Sequence, residues 1–427
     1  MLTSAPVVVV GGGPGGIAAA LALGSDGLLL ESAQALGGLS MSVSFAGAVF
    51  DLGGHSFHTP HPHIRELVFD ALDMFEQERD ARCYHEGEWI PYPFQKHFTE
   101  LSCAETVADC ANGMATIDSD IQPAHFEEQL VARFGAGLAR HFMLPYNRKL
   151  WGDDLARMDS AWTSERIPSA RGGGSDQFSE TSGVRTPLQE STRVAYPARG
   201  GFAEIFRALA ERVHAVRLGV EVIQIEPRQR IVYARNGDTY RYERMISTLP
   251  LPRLMASIHG VPPEILSAVM ELEALGLDLI LIAVDEPVQT TAQRIYSAEA
   301  HIPAHKIVIN HNSSGWLRTL PAHGIVAEVS RAQAYGQLDR SLERTVVENL
   351  VKMGILRDPS LVKEVRQLHV SHAYPVPTHE RPQIVQRAKD WLTAQDIFTL
   401  GRFGEWAYIN SDEVLHRGLQ LGRACRD

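Results

Sequence analysis

Four consecutive valines, Val7 to Val10, run directly into Gly11-Gly-Gly-Pro-Gly-Gly16, and Ile17 to Gly24 then carries Ala and Leu without a charge. An apolar run, a glycine turn and an Ala/Leu segment predict a buried strand, a tight turn and a helix. Leu28-Leu-Leu30, followed by Glu31, predicts the parallel strand that returns beside the first. Apolar residues recur at helical spacing from Pro62 to Glu78 and from Ala124 to Phe142, which predicts a helical unit; between them, Arg82 to Phe94 reads as a strand carrying aromatic residues. Pro168 to Arg193 is dense in Gly, Ser and Thr, has no sustained period, and predicts a long, mobile loop. Val220 to Tyr233 and Arg241 to Thr248 alternate like paired strands, with Asn236-Gly-Asp238 as a hairpin turn. Leu277 to Val284 and Lys306 to Asn310 predict a further, largely antiparallel sheet. A last helix is expected from about Glu413, behind the N-cap residues Asn410-Ser-Asp412.

The first of these patterns carries chemistry. Gly11-x-Gly13-x-x-Gly16, with Pro14 and Gly15 inside it, lets the chain turn tightly, lets backbone approach a pyrophosphate, and packs a helix close to its strand. The helix N-terminus offers free N–H groups and a positive dipole end to phosphates. Glu31 stands 20 residues after Gly11, where a ribose hydroxyl needs an acceptor. Gly37-Gly38 and Asp51-Leu-Gly-Gly54-His55 add two close-approach turns that a simple nicotinamide site does not require, so the expected dinucleotide is FAD rather than NAD.

These elements predict an α/β fold with three parts. A Rossmann-like, doubly wound FAD-binding domain takes residues 1–65, 196–255 and 395–427. A helical insertion domain on the substrate side takes 66–81 and 96–195, including the loop 168–193, and an antiparallel β-sheet domain takes 82–95 and 256–394.

A second set of residues suits a planar base and a diphosphate. Tyr92, Phe94 and Phe142 offer aromatic faces, and the Gln95 amide donates and accepts together. Arg166 can grip phosphate oxygens with two parallel hydrogen bonds. The stretches Trp89-Ile-Pro-Tyr-Pro-Phe-Gln95, Phe142-Met-Leu-Pro-Tyr-Asn-Arg-Lys-Leu-Trp151, Ala161-Trp-Thr-Ser-Glu-Arg166, Tyr196-Pro-Ala-Arg-Gly-Gly201, Tyr374-Pro-Val-Pro-Thr378 and Gly401-Arg-Phe-Gly-Glu-Trp406 join Asp51-Leu-Gly-Gly-His55 in a recognisable order. In them the chain resembles the UDP-galactopyranose mutases, particularly their eukaryotic-type branch, within the wider group of amine oxidases and protoporphyrinogen oxidase.

The resemblance implies that Asn147 and Trp151 sit beside the uracil, that Tyr296, Tyr374 and Tyr408 contribute to substrate binding, and that Lys306 stands where the family has a second diphosphate-binding arginine. It places His55 near the flavin and adds Val222, Arg402 and Asn410 to the cofactor contacts. It implies a redox-neutral isomerisation of a UDP-hexose, UDP-galactose in the first instance, between pyranose and furanose rings: N5 of reduced FAD attacks the anomeric carbon and UDP leaves and returns. Arg166, Lys306 and His55 are then the catalytic candidates, and no carboxylate pair or triad is required. No second GxGxxG marks a nicotinamide site, so NAD(P)H is only a candidate reductant. Two other readings stay open: an FAD-dependent oxidase or dehydrogenase acting on an amine or alcohol, and a flavin- and nucleotide-binding regulatory protein.

Composition narrows the partners. Among 427 residues the formal net charge is −11 and no Lys/Arg block occurs, which argues against nucleic acid and anionic membranes. Four irregularly spaced cysteines fit neither a zinc pattern nor a disulfide framework and suggest the reducing cytoplasm. No metal is expected either, since His55, His58, His61 and His63 match no standard site. The run Val7 to Val10 is too short for a signal peptide and no run reaches a membrane span. A homo-oligomer is compatible with the sequence.

Overall fold

The computed structural model of the protein describes residues 2–117, 123–163, 193–331 and 339–426. A parallel sheet of five strands is ordered Val216–Arg217, Gly27–Leu30, Val7–Val10, Arg244–Ser247 and Ile397–Thr399. Val7–Val10 is central and wholly buried, which is why it tolerates no polar alternation. The helix Pro14–Leu23 begins at the glycine turn, with Pro14 in its first turn.

The helix Ser411–Arg426 packs across Pro14–Leu23, and the contact depends on missing side chains. A Cβ on Gly418 would stand 2.6 Å from Ala18 Cβ and 2.8 Å from the Gly15 carbonyl oxygen, and one on Gly422 would stand 2.5 Å from the Ala19 carbonyl oxygen. The two backbones can approach this closely only without those atoms.

A second sheet has seven strands, in the order Val362–Pro375, Ala274–Val284, His323–Arg331, Lys306–Ile309, Arg294–Ser297, Ala81–His85 and Glu88–Pro91. All its pairings are antiparallel except that of Arg294–Ser297 with Ala81–His85. The helices Ala104–Ala115, Phe126–Phe134 and Leu144–Trp151 contribute to the apolar cluster that lies against one face of this sheet. The mixed α/β architecture therefore matches the expected class.

Three local expectations need correction. The helical pattern from Pro62 ends at Phe69, and Met74–Glu78 is a strand paired antiparallel with Arg193–Pro197; tertiary pairing overrides the helical spacing there. Arg82 to Phe94 is a hairpin of Ala81–His85 and Glu88–Pro91, turned at Glu86 and Gly87, which both have positive φ, and a short helix starts at Phe94. The Asn236-Gly-Asp238 turn joins Ile231–Ala234 to Thr239–Arg241, whereas Arg244–Ser247 leaves the hairpin for the parallel sheet. The expected loop 168–193 lies outside the described residues apart from Arg193. No helix among the described residues is long and apolar enough to cross a membrane.

Candidate active site

On the dinucleotide side, Gly11 has φ +99°, and a Cβ on Gly16 would fall 1.9 Å from the Gly11 carbonyl oxygen, so the turn and the helix start interlock only as glycines. Gly38, at φ +54°, approaches Gly13 from the next loop: a Cβ on it would be 3.1 Å from Gly13 Cα. Glu31 follows Gly27–Leu30, and its carboxylate accepts the Gly12 N–H at 2.6 Å and the Ala33 N–H at 2.7 Å. Val222 begins the strand Val222–Glu226 and packs in the same apolar cluster as Val10 and Leu30, close to where the Val220 N–H donates to the Glu31 carbonyl at 2.8 Å. The N-terminus of Ser411–Arg426 meets the side of Pro14–Leu23, and the Asn410 carbonyl accepts the Val414 N–H.

The seven-stranded sheet supplies the charged groups. Tyr296 pairs with Lys306 and Lys306 with Glu328 across three neighbouring strands, so all three side chains rise on one face. Lys306 Nζ lies 2.9 Å from Glu328 Oε2, and the other oxygen, Oε1, accepts the Gly54 N–H at 2.7 Å. Tyr374 donates its hydroxyl to the same carboxylate at 3.4 Å. Burial alone would lower the Lys306 pKa, but Glu328, Tyr374 and Tyr296 outweigh it and hold the ammonium charged. Burial would raise that of Glu328, yet Lys306 and His305 keep it below the usual range.

Aromatic rings crowd around these groups. Trp151 lies 5.9 Å from both Tyr374 and Tyr408, and these two tyrosines meet edge to face at 5.4 Å. The Arg402 guanidinium sits 5.4 Å from the Tyr408 ring centre and is steered by the carbonyls of Ile409 and Ala373. Tyr92 stacks obliquely on Tyr296 at 4.7 Å. The buried indole nitrogens of Trp151 and Trp162 have no acceptor among the described residues.

His55 stands between these groups. Its ring stacks on Phe202 at 4.9 Å and its buried Nδ1 has no partner among the described residues. Burial, then Lys306, push its pKa down to about 3, so the imidazole is neutral. Asp51 anchors the loop by accepting from Ser42 Oγ, the Tyr196 hydroxyl and the Phe202 N–H.

The structure brings together His55, Tyr92, Trp151, Tyr296, Lys306, Tyr374, Arg402 and Tyr408. It does not leave Phe142 open: Phe94 stacks on it at 4.5 Å and Tyr146 at 5.5 Å, so both its faces are occupied and it cannot also stack on a base in this arrangement. Gln95 is buried beside them, and Asn147 spends an amide hydrogen on the Met143 carbonyl. Arg166 lies outside the described residues. His61 pairs with Glu413 at 3.0 Å and His63 with His416 at 2.9 Å. Among the described residues no group of His, Cys, Asp or Glu is arranged to hold a metal, and all four cysteines are free.

Residues 14–322 match the family model for flavin containing amine oxidoreductases. The chain belongs to that family. Its fold is shared with the crystal structure of a reduced UDP-galactopyranose mutase, at 24% identity over 98% of this chain and 93% of that one, with a TM-score of 0.88. It is also shared with putrescine oxidase bound to putrescine, at 16% identity over 99% of both chains and a TM-score of 0.71. Cyclohexylamine oxidase from Brevibacterium oxydans IH-35A matches at 15% identity over 99% of this chain and 98% of that one, with a TM-score of 0.69.

FAD is the cofactor that membership in the flavin containing amine oxidoreductases implies, and the residues present suit it. The glycine turn at Gly11 to Gly16, the close Gly13–Gly38 approach and the unpartnered His55 Nδ1 form the cradle and the polar edge that a long dinucleotide needs. Two site residues escape a reading of the sequence. Glu328 is the lone acid within the buried run Gly324 to Val329, and Arg294 is a buried cation beside Ile295. An isolated acid inside an apolar strand is the signal that could have found Glu328; Arg294, which opens its strand after Gln293, offers none.

Proposed function

We propose that this flavoenzyme interconverts the pyranose and furanose forms of a UDP-hexose, with UDP-galactose the first candidate, as in the eukaryotic-type mutases. The observation that carries the reading is a cluster of hydrogen-bond donors around Lys306. Arg402, Tyr374, Tyr408 and the unpartnered indole nitrogens of Trp151 and Trp162 gather near it, and donors of this kind complement phosphate oxygens.

Bound reduced FAD would supply the nucleophile toward the anomeric carbon. The chain's own residues would do the rest. Lys306 stabilises the departing diphosphate, with Arg166 as its proposed partner. Tyr374 and Tyr408 orient phosphate oxygens through their hydroxyls. Tyr92 and Tyr296 offer ring surface to the nucleotide, and the neutral His55 borders the reacting centre without adding charge.

A second reading, an FAD-dependent amine oxidase or dehydrogenase, is favoured by one observation. Glu328 is a fully buried carboxylate in the site, and a carboxylate suits a cationic amine better than a diphosphate. Incubating the reduced protein anaerobically with UDP-, GDP- and dTDP-sugars, and the oxidised protein with amines, separates the two. Furanose product without net redox turnover supports the mutase; amine-dependent flavin bleaching supports the oxidase.

A further inference from the structure

Arg294 is 6% exposed, and its guanidinium has no hydrogen-bond or ion-pair partner among the described residues. It pairs across the strands with Val308, two residues along from the Tyr296–Lys306 pair, so Arg294 and Lys306 rise from the same sheet face. Both press against the loop that carries His55. A Cβ on Gly54 would meet Arg294 Nε at 3.1 Å and Lys306 Cε at 3.2 Å.

The two cations are not equivalent. Lys306 is compensated by Glu328 at 2.9 Å. The groups facing Arg294 are Tyr296, Arg79, Glu328 and Asp51. Arg79 repels it, Glu328 is already engaged by Lys306 and Gly54, and burial pushes the Asp51 carboxyl up toward its neutral form. A buried charge without a counter-charge is costly, and it persists where an anion arrives in function. Arg294 adjoins the Gly54 backbone, so its charge acts on the loop that carries His55 and on whatever that loop borders.

We propose that Arg294 is a positioning residue for charge: its buried guanidinium stabilises the negative charge that the flavin ring gains on reduction. Two electrons and one proton entering the ring leave it with one net negative charge, and the field of Arg294 favours that state in the water-poor interior. Glu328 opposes it with the other sign. The inference rests on FAD binding alone and uses no substrate, so it can fail while the nucleotide-sugar reading stands, or hold while that reading fails.

The test is the two-electron reduction potential of the FAD-loaded full chain, measured by equilibration with reference dyes under anaerobic reduction. Arg294→Met is expected to retain FAD and to shift the reduction equilibrium at least about tenfold against the reduced form, about 30 mV for a two-electron couple. Arg294→Lys is expected to stay close to the parent potential. An unchanged potential in Arg294→Met, or an equal fall in both variants, overturns the proposal. Should Arg294→Met lose its flavin, Arg294→Gln decides: its potential must fall below that of Arg294→Lys, and equal potentials overturn the proposal.

Discussion

Lys306 and Glu328 form a buried ion pair at 2.9 Å, and the second oxygen of the same carboxylate holds the Gly54 N–H at 2.7 Å. One side chain thereby ties the Lys306 ammonium to the loop that carries His55. Removing the Glu328 charge leaves Lys306 buried without a counter-ion. Glu328→Gln is expected to cost about 3 kcal/mol of stability in urea unfolding of the FAD-loaded protein. Added UDP should raise the melting temperature of Glu328→Gln more than that of the parent, because the diphosphate restores the missing negative charge. Equal shifts would mean that Lys306 does not face the ligand.

Lys306→Ala separates ligand chemistry from cofactor binding. UDP-sugar turnover is expected to fall by about a hundredfold or more while FAD content stays near that of the parent. Parallel loss of both would assign Lys306 a structural role.

Buried histidines set a pH limit. Burial pushes His55, His305 and His311 down to about 3 from an ordinary 6.5. The unfolded chain therefore binds more protons between those values, so the stability these residues contribute is full above about pH 6.5 and is lost as pH falls toward 3. His311 shows the cause most plainly: its Nε2 accepts the Val288 N–H at 3.2 Å while Nδ1 lies 3.1 Å from the Gly324 carbonyl, a pattern that needs the neutral ring. Urea midpoints measured from pH 7.5 to 5 should fall steadily, and His311→Gln should flatten that slope. A slope unaltered by the substitution would show that His311 does not drive it.

The contact between Pro14–Leu23 and Ser411–Arg426 leaves no room for a methyl group. Gly418→Ala and Gly422→Ala are each expected to cost about 1–3 kcal/mol and to loosen FAD retention, because the atoms met are backbone or alanine Cβ and cannot swing away. Gly237→Ala, where a Cβ meets nothing within 4 Å but φ is +87°, should lower stability without releasing flavin. Flavin fluorescence on gel filtration checks both.

The parallel sheet was legible because Val7 to Val10, the glycine turn and Glu31 are local and each obeys a backbone requirement. The antiparallel sheet was legible in Leu277 to Val284 for the same reason. Met74 to Glu78 was not, since its strand state comes from pairing with Arg193–Pro197, far away in the chain. The site divides likewise. His55, Tyr374 and Arg402 stand in quotable motifs and Lys306 was reached through the resemblance, whereas Arg294 acquires meaning only when three strands align it with Lys306 and Glu328 under Gly54. Phe142 shows the converse: its motif suggested an open ring, and packing against Phe94 and Tyr146 covers it.

The flavin is proposed to serve a redox-neutral ring isomerisation of a UDP-hexose. The most direct measurement is anaerobic incubation of the dithionite-reduced protein with UDP-galactopyranose, with products followed by chromatography and NMR. UDP-galactofuranose at equilibrium with its isomer, and the flavin still reduced at the end, is the expected result. UDP-galactose left untouched by fully reduced protein that binds UDP would contradict it.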